Sequence, residues 1–214
     1  MPQPTADRLP ALLAAVGLPA LQPEHIQHFT DFLSLILRWN TRTNLTAVRD
    51  PDDLLARHFV ESIACAHALP AGILTLLDFG SGAGFPGIPI ALCRPEITVT
   101  LAESQGKKAA FLQEALRVLN LSARSPAVRI HADRAESLSE TFDCVTLRAV
   151  DHMESAIAAA TRLVTPEGWL APLTTRSGLP ALQGAAGTRF HWQEPVPLPG
   201  SDARILALGR APSA

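Results

Sequence analysis

Apolar positions along the chain change their spacing near residue 70, and that change divides the sequence into two kinds of structure. From Pro23 onward, Ile26, Phe29, Phe32, Leu33, Ile36 and Leu37 recur at intervals of three and four, the period of a helix that buries one face. The pattern predicts a helix ending near Trp39, a polar connector from Asn40 to Asp50, and a second helix through Leu54, Leu55, Phe59, Ile63 and Ala64 that closes before Pro70. A short helix around Leu9 to Val16, stopped by Gly17 and Pro19, is expected before them. Residues 1–70 therefore read as a helical segment packed on a core domain formed by residues 71–214.

From Ile73 the pattern becomes a continuous apolar run through Phe79 that ends in glycines, as expected of a strand buried on both faces of a parallel sheet. Thr98–Ala102, Val128–His131, Phe142–Val150 and Trp169–Leu173 read as further strands, with helical patterns over Gln105–Leu119 and 152–164 between them. Such alternation predicts an α/β architecture, a Rossmann-like doubly wound sheet with right-handed crossovers and helices on both faces. In the tail, strand-like Arg189–Gln193 and Arg204–Leu208 flank a proline-rich stretch and suit an antiparallel pair.

Composition narrows the function classes. A formal net charge of -2 over 214 residues gives no global field for nucleic acid, so any such partner must be held by a local patch. Lys107 and Lys108 are the only lysines among 18 basic residues; the arginine bias suits phosphate and base contacts, and genome composition produces the same bias. Cys65, Cys93 and Cys144 are odd in number and far apart, which indicates neither a disulfide framework nor a Cys-x-x-Cys metal site. Asp7 and Arg8 stand where a secretory signal would need an apolar run, and no apolar stretch reaches the roughly 18 residues needed to span a bilayer. A soluble, cytoplasmic monomer without membrane contact is expected.

The informative chemistry follows the first strand, in Asp78-Phe79-Gly80-Ser81-Gly82-Ala83-Gly84-Phe85-Pro86-Gly87. Glycines permit a tight strand-to-helix turn and close approach of a ligand to the backbone, at the position where open α/β sheets bind ligands. Pro89 suits the first turn of the next helix, whose free N–H groups a ligand can use. Glycines in this spacing also suit a dinucleotide-binding dehydrogenase. Asp78 argues otherwise: a carboxylate beside the turn can hold an ammonium but would repel a pyrophosphate. Glu103, 16 positions beyond Gly87 at the end of the second strand, is placed to accept ribose hydroxyls. A nucleoside attached to a zwitterionic amino acid, S-adenosyl-L-methionine, fits both carboxylates.

After the third strand, Ala132-Asp133-Arg134-Ala135-Glu136 is where a chain of this topology passes a purine. The fourth strand ends at Arg148, expected in the crevice among Asp78, Glu103 and Glu136 as a structural ion pair, a binder of the methionine carboxylate or a contact to substrate phosphate. In the N-terminal segment, Arg38, Arg42, Arg49 and Arg57 are candidates for phosphate, with Asn40, Asn44 and His58 for polar base edges. Asp50, Asp52 and Asp53 dilute that field, and an ordinary solvated face accounts for the same residues. His58, His131 and His152 lack metal-ligand spacing, and no metal is expected.

Read together, these motifs resemble the bacterial small-subunit (16S) ribosomal RNA guanine-N7 methyltransferases, the glucose-inhibited division protein B family. The resemblance rests on Arg38-Trp39-Asn40 with Asn44-Leu45-Thr46, on His58 with Glu61-Ser62, and on Gly80 through Pro89 with its Pro-Gly-Ile-Pro ending. It extends through Glu103-Ser104, Gly106-Lys107-Lys108, Arg134-Ala135-Glu136 and Arg148-Ala149. It implies a class I methyltransferase fold with cofactor contacts at Gly80, Phe85, Ala135, Glu136 and Arg148, and transfer to a guanine N7. Asp78, Ser81, Gly82, Gly84, Gly87 and Glu103 complete the candidate cofactor site; Arg38, Asn40, Asn44, His58 and Arg134 form the candidate RNA site. Departures are Leu147 for a serine, Glu61 and Glu103 where Asp is common, and Leu173-Thr174-Thr175 where the family often has Lys-Gly, for which Arg176 is a possible substitute. Reaching N7 requires an unstacked guanine; weak affinity for naked RNA is expected, with an assembled ribosomal particle as the expected partner. Competing readings are a class I methyltransferase for another substrate and a non-catalytic nucleotide-binding module.

Overall fold

The computed structural model describes residues 5–123 and 127–213. Helix α1 (Thr5–Ala15) and the amphipathic α2 (Pro23–Asn40) come first. The short α3 (Pro51–Leu54) is capped by Asp50, whose carboxylate accepts from the N–H groups of Asp52 and Asp53, satisfying donors that a first helical turn leaves open. A π-helical turn, Leu55–Val60, joins it to α4 (Glu61–Ala68), so the single helix expected over this stretch is locally unwound into a wider turn.

Strand β1 (Thr75–Phe79) leads into α5 (Gly87–Cys93), β2 (Thr98–Ala102), α6 (Gly106–Val118) and β3 (Arg129–His131). Strand β4 (Phe142–Arg148) is followed by α7 (Met153–Ala160), β5 (Val164–Thr175) and α8 (Leu179–Ala186). The sheet runs β3-β2-β1-β4-β5, all parallel, and its order reverses between β1 and β4. Such a reversal opens a crevice beyond the strand ends.

The tail corrects one expectation. Arg189–Gln193 and Arg204–Leu208 meet at their ends, where Gln193 N–H donates to Leu208 O at 2.8 Å, and do not pair along their length. Strand β6 (His191–Trp192) pairs with β9 (Gly209–Arg210), while β8 (Arg204–Leu206) joins β5 on one side and β7 (Val196–Pro197) on the other. Strand β5 is 12 residues long, enough to receive β8 and β9 in succession along the same edge. Helix α8 was not expected, because its small residues Ala181, Gly184, Ala185 and Ala186 hide the apolar period.

Two apolar layers sandwich the sheet, set by the two-residue alternation of strand side chains. Leu76, Val99, Leu101 and Cys144 face one layer, which contains Phe29, Phe32, Phe59 and Ile63 of the N-terminal helices and Phe111 of α6. Leu77, Phe79, Val145 and Leu147 face the other, with Ile157 of α7 and Leu182 of α8. The helical segment thus shares a continuous core with one sheet face. Arg38 and the Trp39 indole N–H both donate to the Glu114 carboxylate on α6, the latter at 2.8 Å, which fixes α2 across that layer. Among the described residues no helix is long and apolar enough to cross a membrane.

Candidate cofactor and RNA site

The glycine loop lies at the reversal, where Phe79 of β1 stands beside Leu147 of β4. Gly80, Gly82 and Gly84 adopt φ of 75°, 56° and 85°, a region that penalises any side chain. A Cβ on Gly87 would lie 2.6 Å from Asp78 Oδ2 and 2.4 Å from Leu101, so helix and strand approach too closely for any other residue. Over Gly82 a Cβ would meet only Gly80 O, at 3.9 Å; that side of the loop is open to a ligand.

The loop's own donors are largely occupied, which corrects the expectation of free N–H groups at the helix start. Gly80 and Ser81 N–H donate to Ala102 O, Gly84 N–H to Ser81 O and Ile88 N–H to Gly84 O. Gly87 N–H donates to Asp78 Oδ2 at 3.0 Å and Gly82 N–H to Glu103 Oε2 at 2.9 Å. Both expected acidic residues therefore brace the loop from beneath and from β2. Glu103 Oε1 also accepts from Gln105 N–H at 2.7 Å. Asp78 is fully buried and its Oδ1 has no partner. Burial pushes its carboxyl up to about 7; the Gly87 N–H opposes the rise and the Glu103 charge adds to it.

Ala135 is buried in a 3-10 turn, Ala135–Ser137, with Glu136 and Arg134 exposed on either side. Their backbone is held by Ser137, whose hydroxyl donates to Arg134 O at 2.7 Å and lies 2.9 Å from His131 Nε2. The adenine-side candidates are thus presented outward on a pinned turn.

Arg148 departs from expectation. It does not extend among Asp78, Glu103 and Glu136 but turns to the helical segment. It donates to Glu61 Oε2 at 2.8 Å, to Arg57 O at 2.7 Å and to Ser62 Oγ at 3.3 Å. Strand parity is the reason: Arg148 shares its face with Cys144, which meets the N-terminal helices. Glu61, 1% exposed, receives Arg204 of β8 on its other oxygen. Burial raises the Glu61 carboxyl above its ordinary value, opposed by Arg148, Arg204 and Arg57. Burial lowers the Arg148 guanidinium, opposed by Glu61.

The RNA candidates on the helical segment also need correction. Asn40 is buried, and its amide is consumed: Nδ2 donates to Thr46 O at 3.1 Å and Val48 O at 3.4 Å, and Oδ1 accepts from Leu45 and Thr46 N–H at 3.0 and 3.3 Å. It shapes the 41–50 connector instead of reading a base. Arg38 is exposed but engaged by Glu114. His58 places Nε2 3.0 Å from Thr46 Oγ1 and stacks on Phe85, with ring centroids 5.1 Å apart and planes at 25°; its Nδ1 is buried without a partner. Burial lowers its pKa to about 3, reinforced by Arg148, Arg57 and Arg204, so the ring is neutral. Asn44 remains exposed, accepting from Arg49 at 2.9 Å.

Sequence reasoning missed Arg204 altogether and gave Glu61 no role. It also missed the loop after β4, where Ala149 and His152 adopt φ of 51° and 53°, conformations rare outside glycine and frequent at functional sites. Among the described residues no group of three or more His, Cys, Asp and Glu side chains is arranged to hold a metal ion.

A parallel sheet that reverses order between β1 and β4, with a glycine loop at the reversal and an antiparallel strand, β8, added beside β5, has the arrangement of a class I methyltransferase fold. The O-methyltransferase from Bacillus cereus in complex with SAH superposes with a TM-score of 0.63 at 16% identity, covering 95% of this chain and 96% of that one. Residues 25–177 match the family model GidB, rRNA small subunit methyltransferase G, and the chain belongs to that family. It is 42% identical over 176 residues to the ribosomal RNA small subunit methyltransferase G of Xanthomonas campestris pv. campestris (strain 8004), covering 80% of this chain and 79% of the relative. To the protein of the same name from Xanthomonas euvesicatoria pv. vesicatoria (strain 85-10) it is 45% identical over 141 residues, 65% of this chain and 64% of that relative.

Proposed function

We propose that the chain transfers the methyl group of S-adenosyl-L-methionine to N7 of a guanine in small-subunit ribosomal RNA, acting in the cytoplasm as a monomer on an assembled particle. The observation that carries this reading is the open glycine loop braced by two carboxylates at the sheet reversal, in a chain that matches its family from residue 25 to 177. The loop fits the cofactor: space lies over Gly82, and the buried Asp78 Oδ1 lacks a partner that a nearby ammonium or ordered water would supply.

Bound there, the cofactor supplies an electrophilic sulfonium methyl. Gly80, Ser81, Gly82, Gly84 and Gly87 shape its seat, Asp78 and Glu103 set a negative field for the ammonium and ribose, and Phe85 and Ala135 offer apolar contact, with Glu136 at the rim. Glu103 retains acceptor capacity beyond its two backbone bonds, since a carboxylate offers about four lone-pair sites. Guanine N7 has an exposed lone pair and carries no proton, so no general base is required. The protein's contribution is alignment and an environment suited to charge leaving the sulfonium. Arg148 provides positive charge beside the seat. Exposed Arg134, Asn44, Arg42 and Arg57 face the RNA, while Asn40 and Arg38 act through the fold.

The test is methyl transfer from labelled cofactor to purified small-subunit particles and to their protein-free RNA, followed by mass spectrometry of the nucleosides. The expected product is 7-methylguanosine, formed faster on particles. Label on another base, or none on either RNA, would sink the proposal.

A further inference from the structure

We infer that Glu61 is a positioning residue for methyl transfer: one buried carboxylate holds two guanidiniums, Arg148 and Arg204, on the side of the sheet where the parallel strands end. This rests on the functional reading above and deepens it. The carboxylate is 1% exposed, and its two oxygens are divided between the arginines, Oε2 for Arg148 at 2.8 Å and Oε1 for Arg204. The three residues come from α4, the end of β4 and the start of β8, where Arg204 stands opposite Thr175 at the end of β5. Both arginines therefore leave the sheet at the carboxyl ends of the parallel strands β4 and β5, the side on which ligands of such sheets lie.

Charge makes the arrangement more than a staple. Two guanidiniums face one carboxylate, so the cluster keeps one positive charge on partly buried side chains, and the field of Arg57 adds to it. His58, within the field of both arginines, is neutral and contributes none. An ion triad built only for stability has no use for an uncompensated charge, and apolar packing would serve as well. A site that must receive an anionic RNA chain in one orientation does have a use for it. Without Glu61 the two cations repel, and each guanidinium loses its charge-assisted bond to the carboxylate.

The consequence is a split that simple destabilisation does not produce. In Glu61→Gln the local charge rises by one, so affinity for RNA particles at low salt is maintained or tightens, by about threefold. Misplaced guanidiniums lower kcat about tenfold or more, in keeping with the steep cost of small misalignments. Glu61→Asp keeps the charge but shortens the reach, and its kcat falls about threefold, between the other two. The experiment measures kcat, KM for particles and thermal midpoint for all three proteins, with labelled cofactor. The order Glu, Asp, Gln in kcat, without a rise in KM, supports the assignment. Wild-type kcat in Glu61→Gln, or kcat and affinity declining together, overturns it. Should Glu61→Gln fail to fold, Glu61→Asp decides: a reduced kcat at unchanged circular dichroism and KM supports the role, and wild-type kcat overturns it. Absence of methyl transfer by the wild-type chain would instead overturn the functional reading itself.

Discussion

The crevice has two walls whose polar residues are used in opposite ways. On the wall built by the N-terminal helices, Asn40, His58 and Glu61 turn their polar atoms into the protein, where they meet backbone carbonyls, a threonine hydroxyl and arginines. On the wall built by the ends of β2 and β3, Ala135 is buried while Arg134 and Glu136 stand in solvent on a pinned turn. Both walls carry motif residues of the family. The difference teaches that most motif residues of the helical segment, Asn44 excepted, secure geometry, whereas those flanking Ala135 in the turn after β3 are available for contact.

The strongest way to break this contrast lies between the walls, at Gly87. Gly87→Ala forces a methyl group to 2.6 Å from Asp78 Oδ2, and overpacking of this kind costs about 1–3 kcal/mol. Calorimetry is expected to show cofactor affinity reduced about a hundredfold, because the loop cannot keep its shape. Retained affinity would mean that the loop is more yielding than its packing implies.

Next comes Asn40→Ala on the helical wall. It deletes four hydrogen bonds, leaving two carbonyls and two N–H groups without that partner, and at about 1 kcal/mol each urea unfolding should register a loss of about 4 kcal/mol. Cofactor affinity in the folded protein stays within about twofold, because Asn40 acts only through the connector. The matching change on the other wall, Glu136→Ala, reverses this: stability stays within about 0.5 kcal/mol, while cofactor affinity falls about tenfold. If Glu136→Ala lost stability and kept affinity, the assignment of the walls would be inverted.

The smallest effect at neutral pH is that of His58→Phe, which preserves the stack on Phe85. The folded protein holds His58 neutral down to about 3, while an unfolded histidine takes up its proton near 6.5. Between those values the unfolded state binds more protons, so this residue makes stability fall as pH falls. Asp78 acts with the opposite sign between its ordinary value and about 7, where the folded state holds the extra proton, and is common to both proteins. Thermal unfolding at a series of pH values should therefore show wild type losing more stability than His58→Phe as pH drops below about 6.5. Parallel curves would place the ring in contact with solvent.

Local features were legible in the sequence where physics is local. The glycine turn declares itself because its backbone requirement falls on neighbouring residues, and the apolar period of α2 maps directly onto its buried face. The direction of Arg148 was within reach too: counting by twos from Cys144 places it on the helical side, but its position at a strand end was read without that phase. Asn40 could not be assigned, since an amide before a polar connector suits a base edge as well as four backbone partners. The pairing of Glu61 with Arg204 spans 143 residues and leaves no spacing to read. The two-residue strands of the tail are defined only by the edge of β5 that receives them.

That long-range pairing bears on how the protein comes into being. Glu61 leaves the ribosome early in synthesis and Arg204 well over a hundred residues later, so a nascent chain can raise its glycine turn and first five strands while the buried carboxylate still has one arm empty. The buried carboxylate is completed only once the last strands of the tail are laid along β5.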